Sequence, residues 1–363
     1  MPLIFTSVFV SFFSINLARI ISILLNFFIK CLIGMVSILS KLKFTSIIIC
    51  TPYLFSVIMY YVIVIIQFIK FNSKQSKKLF IIYISICLIT NIARLIDENM
   101  YIHFVDVGQG DCTFIQTRNN KKILIDGGGN EIGEDYVGEN ILLPYLLNRR
   151  SKVIDYIFIS HFDSDHCQGL LYIMQNIKVK HVIISKQFEY NENYKKFLKI
   201  AKQEKINIKI ANKGDKIYIE KNLYFEVLWP DALEPISDNK INNNSLVCKM
   251  VYKKFSMLFT GDIEKIAEEK IIETYKNETN KLKATIIKIP HHGSKTSSTM
   301  DFIEKVKPQE ALIGVGKKNK FGHPAITTIQ TLQNQNIKIY RTDEMGEITI
   351  KTNGKKYKVT KLL

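Results

Sequence analysis

One short stretch of the sequence, residues 160–170, places four potential metal ligands close together. It has the sequence SHFDSDHCQGL, and the candidates are His161, Asp163, Asp165 and His166. The apolar run Val153–Ile159 leads into it and predicts a buried strand, and the apolar spacing after it predicts a helix. A strand that ends in such a cluster projects several ligands from a rigid base into one pocket. Imidazole nitrogen and carboxylate oxygen together suit zinc or manganese.

The number of ligands favours two metal ions over one. Two histidines and two aspartates exceed what one catalytic ion needs if it keeps an open position, so two ions that share a bridging group are predicted. The alternative is a polar turn at the end of a strand, with His161 and His166 as ordinary surface residues.

Further candidate ligands follow two strands that are predicted in the second half of the chain. Gly261 and Asp262 follow the strand Ser256–Thr260, and Asp262 is placed to bridge two metals, although aspartate is also a common helix N-cap. Thr285–Ile289 ends in the run PHHGSK, in which His291 and His292 supply at least one more nitrogen ligand. These repeats weaken the alternative of surface histidines.

The aspartate that follows an earlier predicted strand has two interpretations. Asp126 comes directly after Lys122–Ile125 and precedes three glycines. It either supports the pocket loops from behind the ligands or is a simple turn residue.

The first third of the chain is apolar enough for a membrane, whereas the remainder is typical of a soluble domain. Residues 1–99 carry nine basic and two acidic residues, and residues 100–363 carry 41 and 31. Nearly uncharged runs cover 3–39, 44–69 and 79–93, and ~20 apolar residues suffice to cross a bilayer. The first run predicts one tilted span, or a span with an interfacial helix. It is too long for a signal peptide and lacks a basic start.

The domain boundary and the orientation follow from these runs. We expect two to three membrane-associated helices in residues 1–97 and a soluble domain that contains the predicted metal site over 98–363. The loop Lys70–Lys78 is the densest positive cluster beside a predicted span, so it should lie in the cytoplasm. The domain after residue 97 would then be extracytoplasmic, on a multi-pass membrane protein. Lys41 and Lys43 weakly favour the opposite orientation.

The order of predicted elements indicates an α/β fold. Strand, ligand and helix follow one another in that order in both halves of residues 98–363. This repetition predicts a sandwich of two sheets covered by helices, with a metal site along one edge.

Five separated motifs resemble one known family. They are DVGQGD at 106–111, LIDGG at 124–128, HFDSDH at 161–166, TGD at 260–262 and PHHGSK at 290–295. Together they resemble the four-layer αββα metallo-β-lactamase fold. More narrowly, they resemble the C-terminal domain of the ComEC family of DNA-internalisation competence proteins. The resemblance covers about residues 100–363 and extends weakly to the end of that family's membrane competence region. A chain of this kind is either a fragment of a split gene or a stand-alone membrane hydrolase.

The resemblance implies a role for each matching residue. His161 and Asp163 correspond to ligands of a first metal, Asp165 and His166 to ligands of a second, and Asp262 to the bridging carboxylate. His291 or His292 adds a further ligand. His323 corresponds to a late histidine that ligates a metal or contacts the substrate phosphate. Asn243, Asn244 and Ser245 occupy the region where many members have another histidine, which leaves the first site poorer in ligands.

The predicted activity is hydrolysis assisted by two divalent ions, Zn²⁺ or Mn²⁺. Asp165 would ligate a metal and orient water, and Lys295 would stabilise charge on a phosphoryl oxygen. Single-stranded DNA is the expected substrate, and the membrane and other DNA-uptake proteins are the expected partners. The net charge of +17 suits a polyanion, although a coding bias towards lysine would also produce it. No clear alternation of aromatic and basic residues marks a single-strand binding motif.

Two other functions compete with a nuclease. One is a phosphodiesterase or esterase that acts on a small or cell-envelope substrate. The other is a transport subunit whose hydrolase site is vestigial, which the complete ligand set argues against. The fold alone does not separate a nuclease from a small-molecule phosphodiesterase.

Overall fold

The computed structural model describes residues 2–40, 47–68, 75, 77–86, 97–129, 135–278 and 280–361 of the chain. The chain divides into two compact units, residues 1–49 and 50–363. The domain boundary expected at residue 97 falls inside the second unit. It stays a prediction.

The first unit consists of two helices, α1 (Pro2–Ser11) and α2 (Ile15–Ser40). They are linked by a hydrogen bond of 2.9 Å between the hydroxyls of Ser7 and Ser22. Helix α2 has 26 residues and is about 39 Å long at 1.5 Å per residue. Within the described residues it is the one helix that is long and apolar enough to cross a membrane.

The second unit begins with shorter apolar helices. Helix α3 (Leu54–Phe68) starts just after Pro52 and has 15 residues, fewer than the ~20 that span a bilayer. Residues 77–86 are also helical. Much of the predicted loop 70–78 and the end of the third apolar run lie outside the described residues, so the number of spans and their orientation stay predictions.

Fifteen strands make up two sheets in the described part of the chain. The first eight are β1 (Met100–Phe104), β2 (Thr113–Gln116), β3 (Lys122–Ile125), β4 (Val153–Ile159), β5 (Lys178–Ser185), β6 (Asn207–Ala211), β7 (Lys216–Glu220) and β8 (Leu223–Trp229). The remaining seven are β9 (Val247–Tyr252), β10 (Phe255–Phe259), β11 (Ile286–Lys288), β12 (Glu310–Ile313), β13 (Lys338–Arg341), β14 (Ile348–Thr352) and β15 (Tyr357–Lys361). One sheet has the order β15-β14-β1-β2-β3-β4-β5-β6, and the other has the order β13-β12-β11-β10-β9-β8-β7.

The helices of this domain follow the strands that position the site. A π-helical turn, Gly138–Leu142, leads into α4 (Leu143–Asn148). The others are α5 (Ser164–Asn176), α6 (Glu192–Gln203), α7 (Lys240–Asn243), α8 (Lys265–Thr274), α9 (Met300–Val306), α10 (Ile326–Asn334) and α11 (Thr342–Met345). Residues 138–148 are therefore a π turn followed by a short α-helix.

Three apolar cores hold four layers together. The central core lies between the sheets, with Phe158 and Phe225 at 4.4 Å between ring centroids. A second core packs α5 and α6 on the outer face of the eight-stranded sheet, where Phe197 is fully buried. A third packs α8, α9 and α10 on the seven-stranded sheet, around Phe302. Full burial of each such side chain is worth about 1.5–3 kcal/mol. The αββα sandwich predicted from the sequence is confirmed.

Parallel strands bring the predicted site residues to one edge. Strands β3 to β6 pair in parallel, and so do β10 to β13. The carboxyl ends of parallel strands meet at the same edge of a sheet, where ligands of α/β proteins bind. The loops after β4, β10, β11 and β12 therefore converge there.

Candidate metal centre

Each candidate ligand follows the end of a strand or opens a helix. His161 comes two residues after β4, and Asp165 and His166 lie in the first turn of α5. Asp163 is the residue before α5, but its side chain makes no cap hydrogen bond. Its Oδ2 atom lies 3.8 Å from Nε2 of His161 instead. The carboxylate of Asp165 is favoured at this helix N-terminus by the helix dipole.

Hydrogen bonds fix the orientation of His166 and His292. Nδ1 of His166 lies 2.9 Å from Oδ2 of Asp126, and Nδ1 of His292 lies 2.8 Å from the carbonyl oxygen of Gly314. Both partners are acceptors, so each Nδ1 carries its proton and donates it. The two Nε2 atoms face each other at 3.3 Å. This arrangement, with Nδ1 held from behind and Nε2 turned inward, is typical of metal-binding histidines.

His161 is also held through Nδ1, but by a different partner. The hydroxyl of Ser160 donates to Oδ2 of Asp126 at 2.7 Å, so its oxygen is left to accept from Nδ1 of His161 at 2.9 Å. Nε2 of His161 is buried and has no hydrogen-bond partner among the described residues. Because a buried polar atom rarely stays unpaired, this nitrogen fits a metal.

Two carboxylates complete the cluster on the Nε2 side. Asp262 places Oδ1 at 3.2 Å from Nε2 of His166 and Oδ2 at 3.3 Å from Nε2 of His292. Oδ2 of Asp165 lies 3.2 Å from Nε2 of His292. Asp262 thus faces both histidines, and its predicted bridging role stays a prediction. The oxygen and nitrogen donors form a set that zinc or manganese accepts.

Electrostatics in the cluster favours bound positive charge. Burial lowers the pKa of His161 to about 3, helped by the neighbouring His166, so this ring is neutral near pH 7. Burial alone would lower the pKa of His166 and His292 as well, but Asp262 and other carboxylates raise it, to about 10 for His292. Conversely, burial alone would raise the pKa of Asp262, but His166, His292 and Lys288 hold it well below its usual value. Protons or metal cations can supply this charge.

A buried ion pair lies behind the cluster. Nζ of Lys288 contacts Oδ2 of Asp111, lies 3.2 Å from Oδ1 of Asp262 and donates to the carbonyl of Gly261 at 2.8 Å. Asp111 also lies 3.8 Å from Nδ1 of His166 and of His292. Asp111 groups with His166, Asp262 and His292 by distance. However, it faces the Nδ1 side of the rings, so we assign it to Lys288 and not to the metal ligands.

The remaining predicted residues lie at the rim. His292 joins the cluster, whereas Nδ1 of His291 lies 3.5 Å from Oε1 of Glu264. The ring of His323 lies beside that of His292, with centroids 6.3 Å apart and planes 28° apart. Burial, together with His292 and His291, lowers the pKa of His323 to about 4. Lys295 is exposed, and its predicted role stays a prediction.

Ser160, Asp111 and Lys288 have roles that sequence pattern does not reveal. Asp111 lies in the motif DVGQGD, but its partner is far along the chain. Lys288 was visible as a charged residue inside an apolar strand, a position that requires an ionic partner when it is buried.

Comparisons with known proteins agree with this geometry. The Metallo-beta-lactamase superfamily matches residues 105–317. "ComE operon protein 3" of Bacillus subtilis is 34% identical over 258 residues, which are 68% of this chain and 32% of that protein. "Recombination protein 2" of Haemophilus influenzae is 28% identical over 68% of this chain and 28% of its own length. "Competence protein ComA" of Neisseria gonorrhoeae is 26% identical over 67% of this chain and 31% of its own.

The matched region contains the whole cluster, from Asp111 to His292. The chain spans about a third of the length of these curated relatives. The expected resemblance to the ComEC family is confirmed. On its fold and on the matched residues, the chain belongs to the metallo-β-lactamase superfamily.

Proposed function

We propose that the chain is a membrane-anchored, metal-dependent nuclease that hydrolyses phosphodiester bonds of single-stranded DNA during DNA uptake. The observation that carries this proposal is the orientation of His161, His166 and His292. Each has Nδ1 held by an acceptor and Nε2 turned towards carboxylates. Such a set suits a hydrolase with a divalent-metal centre.

The roles follow from the contacts. His161 and Asp163 would hold one ion, Asp165, His166 and His292 would hold the other, and Asp262 would lie between them. Two divalent ions, Zn²⁺ or Mn²⁺, when bound lower the pKa of a shared water and polarise a phosphoryl oxygen. The Asp165 side chain is 32% exposed, so its second oxygen can orient the attacking water.

Two rim residues suit the phosphate. His323 is neutral near pH 7, because its pKa is about 4, and it can donate a ring N–H to a phosphoryl oxygen. Lys295 adds a compact positive charge that can approach the same oxygens. Neither residue is needed to hold a metal in this assignment, so their substitution should leave metal content intact.

DNA is favoured as substrate by charge and by similarity. Residues 100–363 carry ten more basic than acidic residues, which attracts a polyanion. One relative, "Competence protein ComA", matches 67% of this chain. Partners would be other DNA-uptake proteins, and the multi-pass N-terminal region would hold the domain on the extracytoplasmic side of the membrane.

The test uses the full chain purified in detergent, with labelled single-stranded DNA and a small chromogenic phosphodiester, in Mn²⁺ and in Zn²⁺. Asp262→Ala should abolish DNA cleavage and lose most metal by elemental analysis. Glu268→Gln is the matched control, because Glu268 is a buried carboxylate that is not part of the cluster. It accepts hydrogen bonds from the backbone N–H groups of Ser298 and Thr299. Its metal content and cleavage should be unchanged.

Two outcomes would contradict the proposal. Full metal occupancy in Asp262→Ala would refute the bridging role. Robust turnover of the small phosphodiester without DNA cleavage in either metal would favour the small-molecule phosphodiesterase instead.

A further inference from the structure

The loop between β12 and α10 forms one rim of the metal centre and is held rigid by Asn319. Its Oδ1 atom accepts from the backbone N–H groups of Phe321 at 3.2 Å and His323 at 3.0 Å. Its Nδ2 atom donates to the carbonyl oxygens of Gly316 at 3.2 Å and His323 at 2.7 Å. Asn319 therefore fixes the backbone on both sides of Phe321.

Phe321 is exposed although it is a large apolar ring. The residue is 61% exposed, so its ring offers apolar surface that the packing of the domain does not use. One side of the ring lies beside His323, with centroids 5.7 Å apart and planes only 25° apart. His323 in turn lies beside His292, with planes 28° apart. A row of three rings thus runs from the metal centre to the surface.

The charges around this row suit a nucleic acid strand. Lys317 and Lys318 are exposed in the same loop, and Lys295 is exposed on the loop that carries His291. Aromatic faces flanked by cations are the arrangement with which proteins bind single strands, by stacking bases and contacting phosphates.

We propose that Phe321, supported by His323, is a stacking subsite for one unpaired nucleobase next to the scissile phosphate. The base must be unpaired, because stacked neighbours cover both faces of a base inside a duplex. This inference rests on the proposed nuclease function. It would explain why the enzyme prefers single-stranded over duplex DNA. It also assigns His323 a positioning role as the support of the Phe321 ring.

Binding of an oligodeoxythymidine of about 15 nucleotides, a length within the usual site sizes, tests the subsite. Fluorescence anisotropy is measured on the full chain in detergent, and every variant carries Asp165→Asn to prevent cleavage. Stacking of one base is worth about 1–3 kcal/mol, so Phe321→Ala should weaken binding about 5- to 150-fold. Phe321→Leu keeps apolar bulk without a ring and should weaken it similarly, whereas Phe321→Trp should bind as well as the chain with Phe321 intact.

Tyr218→Ala is the matched control. Tyr218 is 63% exposed but lies on β7, at the far edge of the seven-stranded sheet from β11 and β12. Its removal should leave binding unchanged. A loss of binding as large as that of Phe321→Ala would show that any exposed ring matters, and it would refute a specific subsite.

A double-mutant cycle gives the sharpest result. The oligonucleotide is made abasic at one position at a time and is bound both to the chain with Phe321 intact and to the Phe321→Leu variant. At one position the two losses should not add, because the same stacking contact is removed twice. Quenching of 2-aminopurine at that position should require the ring.

The outcomes separate the subsite from the nuclease. Additive losses at every position, while the chain with Asp165 intact cleaves DNA, would overturn the subsite and leave the nuclease standing. A chain that hydrolyses a small phosphodiester but neither binds nor cleaves single-stranded DNA would overturn both. Stronger binding to duplex than to single strands would overturn the subsite as well.

Discussion

Asp126 determines which nitrogen of His166 faces the metal centre. It accepts hydrogen bonds from the backbone N–H and the hydroxyl of Ser160, at 2.8 and 2.7 Å, and from Nδ1 of His166 at 2.9 Å. Through the Ser160 hydroxyl it also orients His161. One carboxylate therefore sets the tautomers of two histidines that belong to different predicted metal positions.

Asp126→Asn should weaken metal binding without removing a ligand. The amide can present a donor where His166 needs an acceptor, and loss of such a partner typically costs 10- to 100-fold in metal affinity. The measurement is Mn²⁺ and Zn²⁺ affinity by competition with a chelator.

Asp155→Asn is the control for this experiment. Asp155 is also buried, accepts from a backbone N–H at 2.9 Å and pairs with Lys180 at 2.7 Å. It lies near the start of β4, away from the cluster, so metal affinity should stay within about twofold, as for a distant, independent site. Equal weakening in both variants would mean that Asp126 acts only through stability.

Lys288 balances the buried carboxylates of Asp111 and Asp262. Removing one partner of a buried ion pair typically costs about 3–5 kcal/mol, since the other charge is left uncompensated. Lys288→Met should therefore lower the unfolding free energy by about that amount in chelator. A divalent cation can offset the unpaired charge of Asp262, so Mn²⁺ should raise the melting temperature more in Lys288→Met than in the unsubstituted chain.

Lys249→Met provides the comparison for Lys288→Met. Lys249 is 8% exposed, and its ammonium donates to the carbonyl oxygen of Lys281 at 2.5 Å. Its loss should destabilise the chain equally in chelator and in Mn²⁺. If Lys288→Met behaves in the same way, Lys288 has no specific coupling to the metal centre.

At the scale of elements, helix α5 packs closely against the loop after β3 because both sides of the contact are glycine. These are Gly169 in the helix and Gly127 and Gly128 in the loop. A Cβ atom on Gly169 would lie 2.0 Å from the carbonyl oxygen of Gly127. The backbone N–H of Gly169 donates to the carbonyl oxygen of Gly128 at 2.9 Å. The glycine run after β3 thus holds the helix whose first turn carries Asp165 and His166.

Gly169→Ala should move α5 and loosen the metal centre. Overpacking of this kind costs about 1–3 kcal/mol, and metal content by elemental analysis should fall. Gly214→Ala is the control, because its added Cβ meets nothing within 4 Å but its φ of +93° is strained for alanine. That variant should lose about 1–2 kcal/mol and keep its metal, which separates displacement of α5 from general destabilisation.

Much of the hydrolase fold could be predicted from local pattern. The predicted strands 122–125 and 153–159 coincide with β3 and β4, because short apolar runs between turn residues determine them. The candidate ligands of the cluster were predicted for the same reason, since each follows a strand or opens the helix after it, and their roles stay predictions. The Lys288–Asp111 pair could not be found, because it joins two residues that are far apart in the chain through the packing of two sheets.

The arrangement of the rings at the rim could not be predicted from local sequence pattern either. Phe321 and His323 look like loop residues in the sequence, and their relation to His292 arises only when the loops after β11 and β12 meet. A search for alternating aromatic and basic residues fails here, because the rings come together in space from separate loops.

At the scale of the whole molecule, the orientation of the N-terminal apolar region decides on which side of a membrane the hydrolase domain would lie. Helix α2 is 26 residues long and apolar, and α3 is shorter but equally free of acidic residues. The cluster Lys70, Lys74, Lys77 and Lys78 is the strongest positive segment beside an apolar run. Loops of this kind remain in the cytoplasm, and one further crossing after them would place the hydrolase domain outside.

Reporter fusions to the full chain and to a truncated chain test this topology. A reporter that is active only in the cytoplasm should work when fused after Lys78 and fail when fused after Leu363, and an exported reporter should show the reverse. A variant in which the four lysines of the loop 70–78 are replaced by glutamine tests whether their charge sets the orientation. It removes the charge that retains the loop, so it should shift part of the population to the opposite orientation. Cytoplasmic activity after Leu363 in the unsubstituted chain would mean that this domain meets DNA inside the cell, after uptake, while the metal chemistry argued from His161, His166 and His292 would be unaffected.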